Sequence, residues 1–311
     1  MSKVAIIGCG FVGSTIAYTL AHTGLAREIV LIDINNDKAE GEALDIGHGI
    51  PLIKPVEIYS GSIKDVKDAD VIVITAGKNR TPGKTRLELA LDNVNIFKDL
   101  IPKLVAENNK AIYLIVSNPV DVLTYITCKI SGLPSSKVIG SGTMLDSSRF
   151  RYLLSNELDI DARNIHGYII GEHGDSEVAT WSSTNISGID IDDYCKMVGI
   201  KLDEDIKDKI ENNIKTAGSE VINKKGATYY AISLAVIRII ECIVRDEKSI
   251  LEVSSLIQGQ YGIEDVSLSL PTIISSNGVE RALEIKLDDE EMKSFRESAE
   301  IMKKTIKDVG F

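Results

Sequence analysis

Apolar residues over the first 140 positions fall into short unbroken runs separated by stretches with helical spacing. Residues 3–7 are a β-branched apolar run, and residues 14–22 place Ile16, Ala17 and Leu20 on one helical face. Residues 28–32 form a second run that ends at Asp33. Strand, turn, helix and strand in that order make a βαβ unit. Residues 71–75 and 111–116 are further continuous apolar runs, as parallel strands covered on both faces require. Residues 87–107 between them read as a long helix. The repeat predicts an α/β chain built on a Rossmann-type doubly wound parallel sheet.

The pattern changes near residue 145. Residues 166–170 alternate polar and apolar, residues 204–224 and 227–244 read as helices, and residues 249–254 and 265–269 read as short strands. A mixed-charge helix over 288–307 closes the chain. This half predicts an α+β substrate domain, giving a division into 1–145, a nucleotide-binding domain, and 146–311, a catalytic domain. No repeat or low-complexity linker marks the boundary.

Charge narrows the classes of partner. With 46 acidic against 35 basic residues the formal net charge is −11, which repels nucleic acid and anionic lipid and predicts neither as a partner. Cys9, Cys128, Cys195 and Cys242 are far apart and lack metal-ligand spacing, so reduced thiols and no metal are expected. The first apolar run enters a glycine turn at once, unlike a signal peptide. No stretch is apolar enough to cross a membrane. The expected location is the cytoplasm.

Gly8-Cys9-Gly10-Phe11-Val12-Gly13 follows a strand and opens a helix, and Asp33 lies 20 residues beyond Gly13. A bare GxGxxG is weak, but this context is the dinucleotide fingerprint. Gly8 permits a tight turn, Gly10 lets a pyrophosphate approach, and Gly13 lets helix and strand pack closely. The helix N-terminus offers N–H groups and a positive dipole end to the phosphates. Asp33 accepts from ribose hydroxyls and repels the extra phosphate of NADP, and Ile34 supplies no cation for one. The expected cofactor is NAD.

Three polar clusters remain. His173 sits in Gly171-Glu172-His173-Gly174-Asp175 and titrates near working pH. Asp146 and Arg149, three apart in Asp146-Ser147-Ser148-Arg149-Phe150-Arg151, share one side of a helix. Asn79-Arg80-Thr81-Pro82-Gly83-Lys84-Thr85-Arg86 is a polar loop after a strand end, where doubly wound sheets bind ligands. Reducing a 2-keto acid needs an arginine fork for the carboxylate, a proton donor and a positive group for the developing alkoxide. Taken singly, each cluster also reads as an ordinary structural or surface feature, and periodicity does not show that they converge.

The motifs together resemble the L-lactate/L-malate dehydrogenase family over essentially the whole chain. Thr75-Ala76-Gly77, Ser117-Asn118-Pro119-Val120-Asp121 and Lys225-Gly226-Ala227-Thr228-Tyr229-Tyr230 join those above in carrying the likeness. The resemblance implies that Phe11, Val12, Thr75, Ala76, Gly77 and Asn118 join the glycines and Asp33 at the cofactor. It implies His173 as proton donor and acceptor, Asp146 as its orienting partner, and Arg149 as the carboxylate fork. Arg86 would polarise the carbonyl on loop closure, with Asn118 adding a hydrogen bond.

The substrate reading is divided. Arg80 aligns with the position that meets the substrate side chain, where lactate enzymes carry Gln and malate enzymes Arg. An Arg facing a methyl group is a buried unpaired charge, so this residue alone favours oxaloacetate. Glu172, Trp181 and the Lys225-to-Tyr230 run, with Thr228 crowding the pocket, resemble lactate enzymes. Pyruvate and L-lactate are therefore expected, with malate dehydrogenation as the alternative. A non-catalytic NAD-binding regulator is the remote third reading. Arg151 and His166 match the pair that binds fructose 1,6-bisphosphate across a subunit interface in allosteric bacterial enzymes, and the family implies a homotetramer.

Overall fold

The computed structural model describes residues 2–78 and 85–311; Arg80 and its neighbours in the polar loop lie outside them. The first half runs β1 (Lys3–Ile7), α1 (Phe11–Thr23), β2 (Glu28–Ile32), α2 (Asn36–His48), β3 (Glu57–Ser60), β4 (Val71–Ile74), α3 (Arg86–Glu107), β5 (Ile112–Ile115), α4 (Val120–Ser131) and β6 (Val138–Gly140). These six strands are parallel and stand in the order β6-β5-β4-β1-β2-β3. The order reverses between β1 and β4, which is where a doubly wound sheet opens its ligand crevice.

The apolar runs are continuous because both faces of each strand are covered. Ala5, Ile7, Ile72, Ile74, Tyr113 and Ile115 enter one core. Their neighbours Val4, Ile6, Val71, Val73, Ile112 and Leu114 enter the other. Helix α1 closes on β1 through Ile16, Ala17 and Leu20 and stops at Gly24, whose φ of 67° is left-handed. Helix α3 starts at a capping box, with Thr85 and Glu88 each accepting from the other's backbone N–H. That cap fixes Arg86 as the first helical residue.

The second half runs α5 (Met144–Leu158), β7 (Ile165–His166), β8 (Ile169–Ile170), β9 (Val178–Ala179), β10 (Asn185–Ile186), β11 (Ile189–Asp190), α6 (Ile191–Val198), α7 (Glu204–Lys225), α8 (Tyr230–Val244), β12 (Ser249–Gln258), β13 (Glu264–Ser275), β14 (Gly278–Ala282) and α9 (Asp289–Asp308). A third core gathers Phe150, Leu154, Ile165, Ile186, Ile210 and Ile214. Helix α8 packs back on α1, so the two halves of the chain share a wall.

Three sequence expectations change. Residues 249–254 and 265–269 are parts of one long antiparallel hairpin, and β12 joins β6 through Ser254 opposite Gly140, extending the sheet to nine strands. The serines that interrupt its apolar reading, Ser254, Ser255, Ser267 and Ser269, are all buried. Residues 166–170 are two strands rather than one, with Gly167 and Tyr168 between them, and an added Cβ on Gly167 would stand 2.7 Å from the Phe150 ring. The helix expected from residue 227 begins at Tyr230, after Gly226 ends α7 in a left-handed conformation.

Candidate active site

The glycine turn is shaped by backbone contacts. Gly8 has a φ of +102°, and a Cβ on it would lie 2.7 Å from the Ala76 backbone nitrogen. A Cβ on Gly13 would lie 1.9 Å from the Gly8 carbonyl oxygen. The Thr75 hydroxyl donates to that same carbonyl at 2.8 Å. Gly10 differs: among the described residues nothing lies within 4 Å of where its Cβ would be. The turn therefore holds open space at the N-terminus of α1, where free N–H groups favour an anion.

At the end of β2 the Asp33 carboxylate accepts from the Cys9 N–H at 2.6 Å and the Asn35 N–H at 2.9 Å. It is thereby fixed beside the turn. Phe11 and half-buried Val12 open the helix, and Phe11 stacks on Tyr229 with ring centroids 5.4 Å apart. Tyr229 shares its turn with half-buried Thr228. Open space at Gly10, a helix N-terminus and a fixed acid suit a dinucleotide with an unmodified ribose.

Thr75-Ala76-Gly77 leaves β4 and Asn118 leaves β5, side by side. Their loops are tied by Asn93, a buried residue of α3 that the sequence reading passed over. Its amide donates to the Asn118 carbonyl at 2.7 Å and the Lys78 carbonyl at 3.2 Å, and accepts from the Lys78 N–H at 2.7 Å.

The catalytic candidates meet around one carboxylate. Asp146, in the first turn of α5, is 1% exposed. One of its oxygens accepts from His173 Nδ1 at 2.5 Å and the other from Arg149 Nη1 at 2.7 Å. Because the carboxylate only accepts when ionised, Nδ1 carries the hydrogen and Nε2 is left to exchange a proton. Burial opposes the Asp146 charge, yet His173 and Arg149 beside it hold its pKa below the ordinary carboxylate range. The same carboxylate, against the opposing effect of burial, pushes His173 up to about 9. The imidazole is thus a stored proton at neutral pH, one-quarter exposed.

The loop bearing His173 is fastened on three sides. Its N–H donates to Asp121 of α4 at 2.7 Å, the Glu172 N–H to Ser298 of α9 at 2.9 Å, and Gly171 pairs with Ser269 of β13. Asp121 stood in a motif the sequence reading quoted without giving that residue a task. Ser298 carried no signal at all. Glu177, four residues after His173, is also buried, and Asp146, His173 and Glu177 each bring a donor atom within 4.8 Å of the others. A cation among them would compete with Arg149 and the imidazole proton, so the trio suits proton handling.

Arg86 reaches the same loop from α3. Its fork pairs with Asp175 at 2.6 and 2.9 Å, and both side chains are exposed. No hydrogen bond or ion pair joins Arg151 and His166 among the described residues. Arg151 faces the buried Glu252, whose pKa burial pushes up to about 7 against the pull of that arginine. His166 is exposed on β7 opposite Asn185.

The chain matches the family description "lactate/malate dehydrogenase, NAD binding domain" over residues 2–140 and "lactate/malate dehydrogenase, alpha/beta C-terminal domain" over residues 143–310. The chain belongs to the lactate/malate dehydrogenase family. It is 60% identical over 307 residues to an L-lactate dehydrogenase of Thermoanaerobacterium saccharolyticum, covering 99% of each chain. It is 55% identical over 305 residues to L-lactate dehydrogenase 1 of Clostridium acetobutylicum, covering 98% of this chain and 97% of that one. Its fold superposes on the ligand-bound minor L-lactate dehydrogenase of Enterococcus mundtii with a TM-score of 0.95 and 41% identity, over 98% of both. NAD is the cofactor of this lactate/malate dehydrogenase family member, as the fingerprint and Asp33 lead one to expect. Among the described residues no helix is long and apolar enough to cross a membrane.

Proposed function

We propose that this chain is a cytoplasmic NAD-dependent L-lactate dehydrogenase, interconverting pyruvate and L-lactate. The observation that carries the reading is the shared Asp146 carboxylate, which binds His173 and Arg149 at once. Gly8, Gly10, Gly13 and Asp33 would hold NADH, which would supply the hydride that the keto carbon accepts. His173 gives its Nε2 proton to the carbonyl oxygen, and Asp146 stabilises the imidazolium before the transfer and orients the ring. Arg149 uses one nitrogen on Asp146 and turns its other donors to the substrate carboxylate. Arg86 leaves Asp175 to polarise the carbonyl as the loop closes, and Asn118 adds a hydrogen bond. Thr228 narrows the pocket around the substrate methyl group. Division at residue 145 assigns the cofactor to the first part and the acid–base pair to the second, with α5 spanning the boundary.

Arg80 is the one residue that favours oxaloacetate, and it lies outside the described residues. The L-lactate dehydrogenases named above support pyruvate. Comparing kcat/KM for the two keto acids with NADH tests the choice: a higher value for pyruvate is expected, and one far below that for oxaloacetate overturns it. Arg80→Gln shifts the ratio toward pyruvate by about 1.5–3 kcal/mol if the arginine reaches the substrate. We further propose a homotetramer in which Arg151 and His166 of neighbouring subunits bind fructose 1,6-bisphosphate. Repeating the assay with that sugar, alongside a mass measurement in solution, tests both.

A further inference from the structure

The roles assigned above leave one buried acid beside the dyad without a task. Glu177 is 6% exposed, and its Oε1 has no hydrogen-bond partner among the described residues. The charged groups facing it are Asp146 and Arg149 of α5, His173 of its own loop and Lys215 of α7. A carboxylate left without donors in a buried site is costly when ionised. Burial, and after it the charge of Asp146, pushes its pKa up to about 8. At neutral pH the group is a carboxylic acid.

That neutrality matters for an anionic substrate. With Asp146 and Asp121 ionised and His173, Arg149 and Lys215 positive, the five groups sum to one positive charge, which matches one carboxylate. Ionising Glu177 adds a negative charge within 4.8 Å of the dyad and cancels the excess. In a buried site such a charge acts at short range with little screening.

We propose that Glu177 is a positioning residue for the substrate: protonated, it leaves Arg149 and His173 available to a 2-keto acid anion, and on losing its proton it closes the site to that anion. The inference rests on the pyruvate reading above. By linkage, a bound substrate anion strengthens the hold of Glu177 on its proton to the same extent that ionised Glu177 weakens substrate binding.

The test separates KM from kcat across pH. In the wild-type enzyme, KM for pyruvate is expected to rise about fourfold between pH 7 and 8.5, the effect of one group titrating near 8. In Glu177→Gln it changes less than twofold over that range, Glu177→Asp restores a rise, and NADH affinity, read by nicotinamide fluorescence, stays within twofold in all three. A wild-type profile reproduced by Glu177→Gln overturns the proposal, as does a wild-type KM that is flat to pH 8.5. Should the variants fail to fold, wild-type enzyme with NADH is mixed with oxamate, which has an amino group where pyruvate has its methyl. At pH 8 in weak buffer about half a proton should be taken up, and uptake near zero overturns the proposal. Absence of any NADH-dependent pyruvate reduction by the wild-type enzyme would instead sink the parent reading.

Discussion

The glycine turn and the Asp146 cluster do their work by opposite means. The turn is backbone against backbone: Gly8, Gly13 and Thr75 press together, and the useful feature is the open space left at Gly10. The cluster is charge against charge: a buried carboxylate, a guanidinium and an imidazole satisfy one another, and the useful feature is a proton held ready at His173. One region is a shape and the other an electrostatic balance. Damage to the first should appear in NADH affinity and stability, and damage to the second in kcat/KM for pyruvate.

The largest separation should come from His173→Asn. Loss of a positioned proton donor costs about 10²–10⁴-fold in pyruvate reduction, while NADH affinity measured by fluorescence should stay within twofold. A fall in cofactor affinity as large as the fall in rate would show that the two regions are not independent. Arg149→Lys is the next test. It keeps the charge and removes the fork, so kcat/KM for pyruvate should fall by about 1.5–3 kcal/mol, chiefly through KM, again with NADH binding intact.

Gly13→Ala strikes the other region. Its Cβ would meet the Gly8 carbonyl at 1.9 Å, which is backbone and not a yielding side chain. A loss of about 1–3 kcal/mol in stability, read by denaturant melts, and weaker NADH binding should follow together. If NADH binding survives and only the rate falls, the contrast drawn here is wrong.

The pH dependence sharpens the electrostatic side. His173 gains its proton's hold from Asp146 and is charged below about 9. Pyruvate reduction consumes that proton, so its rate should fall about tenfold per unit above pH 9, while lactate oxidation, which needs the neutral ring, should rise toward the same point. For folding the sign is the same: a raised histidine adds stability that is full below its ordinary 6.5 and lost as pH passes through about 9. A kcat profile for reduction that breaks near 6.5 would mean that Asp146 does not hold the imidazolium.

The same contrast explains what the sequence made legible. Gly8, Gly10, Gly13 and Asp33 lie within a short stretch and follow a strand, so spacing alone carries their meaning. Asp146, Arg149 and His173 are visible as residues, but their meeting depends on how α5 and the His173 loop fold together, and only the family resemblance joined them. Asn93, Asp121 and Ser298 act through partners 15–126 residues away. Nothing in local spacing marks such a residue. The serines of β12 and β13 misled in the other direction, because polar residues inside a sheet break an apolar pattern without breaking the strand. The start of α7, by contrast, stands where residues 204–224 predict it, directly after the Asp203 cap.

The smallest effect is the most discriminating. Gly10 and Gly13 are alike in sequence, both glycines of one motif, yet the structure sets them apart. Gly10 caps α1 with φ −71° and ψ −175°, extended backbone open to any residue, and among the described residues no atom lies within 4 Å of its missing Cβ. Gly10→Ala should therefore leave the free enzyme as stable as before, or more stable by about 0.4–1 kcal/mol through a less flexible unfolded chain. The added methyl group occupies the space a pyrophosphate would use, so NADH affinity should fall all the same. Melting curves and fluorescence titrations of Gly10→Ala and Gly13→Ala, measured side by side, make the check. A Gly10→Ala enzyme that melts early would show a turn already full at that point, and one that binds NADH normally would place the pyrophosphate elsewhere.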